Sequence, residues 1–216
     1  MRKSEAAVAV IILLSFAVSI YLYPQMPEKV ASHWNAQGQA DGYMGRFWGL
    51  FLAPLIMVGL LLLFMAIPRI DPLKENIAEF RKSYDNFVIL MALFMFYLHM
   101  LTILWNTGHR FNMTLSLAPA IGVLYYHVGI LIENAKPNWF IGIRTPWTLS
   151  SETVWYKTHE TGGKMFKASA AIAIFGMLFP RYVIFFMVVP VFIAAFYTMI
   201  YSYLEYQKEA KQSFSE

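Results

Sequence analysis

The chain has 216 residues, of which 58% are hydrophobic and only 14% charged, against roughly 25% charged in an average soluble domain. A soluble fold could not hide that much apolar surface. The net charge of +4 comes from basic residues scattered between apolar runs, which speaks against direct nucleic-acid binding. Cysteine is absent, which excludes disulfides, thiolate nucleophiles and thiolate metal sites.

A bilayer core of about 30 Å requires roughly 20 apolar helical residues. Six runs answer to that description: Ala6 to Tyr23, Phe47 to Ile67, Phe87 to Trp105, Met113 to Ile132, a shorter one from about Lys167 to Phe179, and Tyr182 to Leu204. The expected fold is all-α, a multi-pass bundle of six transmembrane helices in a cell membrane, with the lipid bilayer as its first partner. Three hairpins follow in order: residues 1–67 with an external loop, residues 68–132, and residues 133–216, which open on a long cytoplasmic loop. Ala17-Val18-Ser19 has the small residues of a signal-cleavage site, yet the apolar run continues to Tyr23, so a retained first helix is expected.

Lysine and arginine set the orientation, because short loops that carry them stay in the cytoplasm during insertion. Of the 17 such residues, all but Lys29, Arg46, Arg110 and Arg181 fall on one side of the six spans. Both termini are therefore placed inside. Trp34, Trp48, Trp105, Trp139 and Trp147 lie in loops or at span ends, where amphipathic rings settle at headgroup level. Pro54, Pro119 and Pro190 fall near the outer ends of the inward-running helices, where bends would splay an outer vestibule.

The first external loop contains His33-Trp34-Asn35, then Gly38, Asp41 and Gly42. Paired prolines at Pro24 and Pro27 stop the helix, and the turn formers imply a compact, ordered loop. His33, Asn35 and Asp41 could converge on zinc or manganese, but their spacing matches no standard ligand pattern, and hydrogen bonding within the loop is the expected role. No metal and no cofactor are assigned.

The long cytoplasmic loop reads Ile141-Gly142-Ile143-Arg144-Thr145-Pro146-Trp147 and continues through Glu152, Trp155, Thr158 and His159 to Gly162-Gly163. Ser150 as N-cap and the glycine pair as stop predict a helix of about 11 residues. Glu152, Trp155 and His159 fall near one face of it. Two readings apply: an interfacial helix with Trp155 in the headgroups and His159 solvated, or a docking surface that also uses Arg144 and Trp147.

These residues resemble the SdpI family of membrane immunity proteins. The cytoplasmic motif is similar to the family signature in Asn138, Gly142, Arg144, Thr145, Pro146, Trp147, Leu149, Trp155, Thr158, His159, Gly162 and Gly163. The external loop resembles a domain of unknown function that often opens such proteins, through Pro24, Pro27, His33, Asn35, Gly38 and Asp41, with Ala40 where proline is common. The resemblance implies resistance to a secreted antimicrobial peptide and signal transduction through a cytoplasmic transcriptional regulator. It implies binding roles for His33, Trp34, Asn35 and Asp41 outside, and for Arg144, Thr145, Pro146, Trp147, Glu152, Trp155, Thr158 and His159 inside.

His99 and His127 lie within spans and are expected to bond a tyrosine or a backbone group. No Asp or Glu falls inside an apolar span, which disfavours a coupled pump, and no nucleophile–base or His-Glu-x-x-His spacing supports an enzyme with catalytic residues. A non-enzymatic immunity protein is the leading reading. A facilitative transporter or a small metal-dependent membrane enzyme is the alternative; a polar tunnel would mark the first, and metal near His33 and Asp41 or near His159 the second.

Overall fold

The computed structural model describes residues 2–213. Its helices are α1 (Lys3–Leu22), α2 (Arg46–Ile70), α3 (Lys74–Glu79), α4 (Arg81–Asn106), α5 (Met113–Asn134), α6 (Pro146–Ser150), α7 (Glu152–Phe175) and α8 (Val183–Ser213). Among the described residues, five helices are long and apolar enough to cross a membrane: α1 with the turn after it, α2, α4, α5 and α8 with the turn before it. The chain is a helical, multi-pass membrane protein.

The fifth expected span takes a different form. Instead of a short cytoplasmic helix, a stop and a new apolar helix, α7 runs unbroken for 24 residues through Gly162 and Gly163. Its first two thirds carry Lys157, Glu160, Lys164 and Lys167, which keeps it out of the set of five. The glycine pair serves packing rather than termination. A Cβ on Gly163 would lie 2.8 Å from the Gly129 carbonyl oxygen of α5, and one on Gly129 would lie 2.7 Å from the Gly163 oxygen. Small residues thus let two backbones touch, as they do between membrane helices. Along the same contact Gly122 of α5 faces Ala170 and Ile174, so α7 runs antiparallel to α5 from end to end. The N-cap is Ser151, whose hydroxyl accepts from the Val154 N–H, rather than Ser150.

Side-chain contacts assign every connection to one of two ends of the bundle. At one end Arg69 of α2 meets Glu5 of α1, Asp71 meets Trp139, Asn76 meets Pro137, and Lys157 of α7 meets Glu205 of α8. This end collects the start of α1, the α2–α4 connection, the 135–151 segment and the end of α8. The other holds residues 23–45, 107–112 and 176–182. Helices α1, α2 and α4 pack as one group and α5, α7 and α8 as another, with α4 against α5 between them. The hairpin of residues 68–132 therefore contributes one helix to each group.

The prolines leave their helices continuous: α2 runs through Pro54, α5 through Pro119 and α8 through Pro190. His127 bonds the Val123 carbonyl one turn back at 2.9 Å, the backbone partner expected of it. His99 instead meets the Ser19 hydroxyl of α1 at 2.9 Å.

Strand structure enters where a compact loop was expected. Lys29–Trp34 (β1) pairs antiparallel with Ala40–Gly45 (β2), with His33 opposite Gly42. The tip turns on Asn35, whose side-chain oxygen accepts from the Gln37 and Gln39 N–H groups, and on Gly38 at φ 76°.

Candidate functional sites at the two ends of the bundle

The hairpin is bolted across three helices. The Asn106 side chain at the end of α4 accepts from the Ala31 N–H at 2.8 Å and donates to the Ala31 carbonyl at 3.0 Å, occupying the open edge of β1. Thr114 donates to the Asn35 carbonyl, and Asn112, which caps α5 through the Leu115 N–H, also donates to the Gln37 carbonyl. Val30 is fully buried with Leu50 and Ile103 and lies against Gly49 of α2. Trp34 meets Trp105 edge-on at 5.7 Å, and Arg110 covers the far ring at 3.5 Å. Exposed on the hairpin, beside Tyr43 and Gln37, are His33 and Asp41, whose Nδ1 and Oδ1 are 2.5 Å apart. Asn35 is absorbed by the turn and Trp34 by its stacking, so His33 and Asp41 are the expected site residues free to meet a partner. Among the described residues no three His, Cys, Asp or Glu side chains come together as a metal site would need.

At the opposite end the 135–151 segment is a fastened loop rather than a flexible linker. The Asn138 amide is its centre: its oxygen accepts from the Phe140 and Ile141 N–H groups while its nitrogen donates to the Lys136 and Ile141 carbonyls. Asp71 binds the Leu73 N–H with one oxygen and the Trp139 N–H with the other. Thr145 and Thr148 cap α6 reciprocally, and the Thr145 hydroxyl reaches Ser202 of α8 at 3.0 Å.

Trp155, Thr158 and His159, expected at a surface, are interior. Trp155 is completely buried and donates from Nε1 to the Ala135 carbonyl at 2.8 Å. Its ring stacks on His159 at 3.9 Å. His159 Nδ1–H donates to the Trp155 carbonyl at 2.8 Å, which leaves Nε2 to accept from the Ile143 N–H at 3.0 Å. Acceptance at Nε2 requires the neutral ring, and burial pushes its pKa down to about 4. Gly142, at φ 113°, completes the fit, since a Cβ there would lie 2.3 Å from Nε2. The physical reason for the burial is the continuity of α7: a helix seated between α5 and α8 turns this face inward, where a separate surface helix would have left it in water.

Because the folded ring binds its proton only near pH 4 and the unfolded one near 6.5, the contribution of His159 is complete above about 6.5. It is lost as pH falls toward 4, at roughly 1.4 kcal/mol per unit. Chemical unfolding of the detergent-solubilised protein at several pH values should show this slope, and His159→Gln should flatten it within that window.

Arg144, Pro146, Leu149, Ser150 and Glu152 remain exposed around this core, with Trp147 half-buried against Tyr203. Arg144 donates to the Trp139 carbonyl at 2.5 Å. Exposed Trp139 and Phe140 flank it. A cleft of 210 Å³ opens beside them, between Pro137, Asn138, Leu149 and Trp155.

Residues 134–202, the segment that carries this fastened loop, α6, α7 and most of α8, match the SdpI/YfhL protein family. That region of the chain is SdpI-like. Residues 10–58, which cover most of α1, the hairpin and the first half of α2, match a domain of unknown function, DUF1648. The chain is also similar over 209 residues, at 29% identity, to the immunity protein SdpI of Bacillus subtilis strain 168, covering 96% of this chain and 98% of that protein. No solved structure matches. The SdpI-like segment holds the buried Trp155–His159 pair, and the DUF1648 segment holds the His33–Asp41 pair. Sequence reasoning missed Asp71, Asn106 and Asn112. Each precedes a turn or caps a helix end, a signal shared with many residues that only terminate helices.

Proposed function

We propose that the chain is a non-enzymatic immunity and signal-transduction protein of the cell membrane. It crosses six times with both termini in the cytoplasm, protects its host from a secreted antimicrobial peptide at the outer hairpin, and presents the inner loop to a cytoplasmic transcriptional regulator. Similarity to an immunity protein along almost the whole chain supports this reading, as do the charge asymmetry of the loops and the antiparallel run of α7 along α5. The observation that carries it is the placement of two fastened modules at opposite ends of one bundle. A peptide arriving from outside meets His33 and Asp41, whose exposed pair offers charge and hydrogen bonds on a rigid platform. A cytoplasmic partner meets Arg144, Pro146, Trp147 and Glu152, whose positions are set by buried Thr145, Trp155, Thr158 and His159 beneath. The planar guanidinium of Arg144 suits a carboxylate on that partner.

Expression in a sensitive strain challenged with a panel of secreted peptides tests the reading. Wild-type chain should protect against at least one. His33→Ala with Asp41→Ala should lower the tolerated concentration about tenfold, the effect of losing one anchoring contact, at unchanged protein level in the membrane. Protection against none of the peptides, or full protection by the double variant, contradicts it.

A further inference from the structure

Under the hairpin, between α2 and α4, lies a second cavity of 170 Å³. Its walls include Trp48, Leu52 and Ala53 of α2 and Met95, Leu98 and His99 of α4, with Ser32 and Met44 of the hairpin above. His99 is 1% exposed, and its Nδ1 has no hydrogen-bond partner among the described residues. The other ring nitrogen explains which form the imidazole takes. Nε2 lies 2.9 Å from the Ser19 hydroxyl, and that oxygen is also 2.8 Å from the Leu50 carbonyl and 2.9 Å from the Ser15 carbonyl. The single serine proton goes to a carbonyl, so Nε2–H donates to serine and Nδ1 keeps a bare lone pair. A buried acceptor left without a donor costs free energy that a bound donor would recover.

The rest of the wall defines the ligand. It is mostly apolar, and the Thr102 hydroxyl on it is already spent on the Leu98 carbonyl. Tryptophan and two methionines, Met44 and Met95, favour an aromatic guest through edge contacts and polarisable sulfur. An apolar cavity of about 150 Å³ is known to take up benzene, so this volume suits a single small ring system. We infer that the cavity beneath the hairpin is a binding site for a small aromatic ring bearing one hydrogen-bond donor, an indole N–H or a phenol O–H, with His99 as the acceptor. The ring is either a free compound in the outer leaflet or a tryptophan or tyrosine side chain of a peptide lying there. The site does not depend on the immunity reading.

Equilibrium dialysis of labelled indole into nanodiscs carrying the full chain, against empty discs, tests this. Indole should bind saturably at one equivalent, and indene, which has the same shape without the N–H, about tenfold or more weakly, the factor one neutral hydrogen bond confers. His99→Phe should abolish the difference, and Ala53→Phe, which fills the cavity without touching the acceptor, should abolish saturable binding of both. Displacement of indole by N-acetyltryptophanamide would assign the ring to a peptide side chain, and failure to displace would assign a free compound; either supports the site. Uptake no greater than in empty discs, equal binding of indole and indene, or unchanged binding in folded Ala53→Phe would each overturn it.

Discussion

Trp155→Ala should destabilise the protein by about 3–5 kcal/mol, the range for removing a large aromatic from a tight core. The ring is fully buried and belongs to the cluster that holds Ile77, Tyr84, Leu131 and Ala135 together at the end of the bundle that carries the 135–151 loop. Truncation removes three things at once: apolar contact, the stack on His159, and the donor to the Ala135 carbonyl. Trp155→Phe separates them, since it keeps most of the packing and loses the N–H, at about 1–3 kcal/mol. Denaturant unfolding in mild detergent, followed by helicity, measures both. A Trp155→Ala chain within about 1 kcal/mol of wild type would mean that Trp155 lies at a surface.

Gly163→Leu is the second large effect. The α5–α7 contact closes on Gly129 and Gly163, and any side chain at Gly163 meets the Gly129 oxygen and the Glu133 Cγ, the latter 2.2 Å from an ideal Cβ. Glu133 is further held by Lys167 at 2.5 Å, so it cannot yield without breaking an ion pair. Overpacking costs about 1–3 kcal/mol when the surroundings can shift, and leucine here should exceed that and lower the yield of folded protein. Gly59→Ala in α2 is the control. Its Cβ meets nothing within 4 Å, and alanine is the better helix former, so its unfolding midpoint should match or exceed that of wild type. A folded Gly163→Leu protein with a wild-type midpoint would show that α7 does not touch α5 at this point.

Hydropathy and the spacing of charges made α1, α2, α4, α5 and α8 legible in the sequence, because each is a long apolar run that no soluble element imitates. Helix α7 was legible only in pieces. Its charges and its glycine pair read locally as a loop helix and a stop, whereas the same glycines, once α5 is beside them, are contact points that no single-chain pattern reveals. The hairpin was read as an ordered loop for a similar reason: its register shifts twice along β1, and the edge of β1 is held by Asn106, some 75 residues away. Asn35 was rightly placed in a turn, since its bonds to Gln37 and Gln39 are local. The roles of Trp155 and His159 were not legible, because a face with helical spacing looks the same whether water or a neighbouring helix covers it.

In the proposed function the hairpin and the SdpI-like loop face opposite sides of the membrane, the hairpin outside. Because the chain contains no cysteine, single added thiols report their side directly to an impermeant maleimide. Gln37→Cys at the exposed hairpin tip and Ser150→Cys on the exposed end of α6 disturb no core contact. Gln37→Cys should be labelled in intact cells and Ser150→Cys only after permeabilisation. Labelling of both in intact cells, or of Ser150→Cys alone, would contradict that placement.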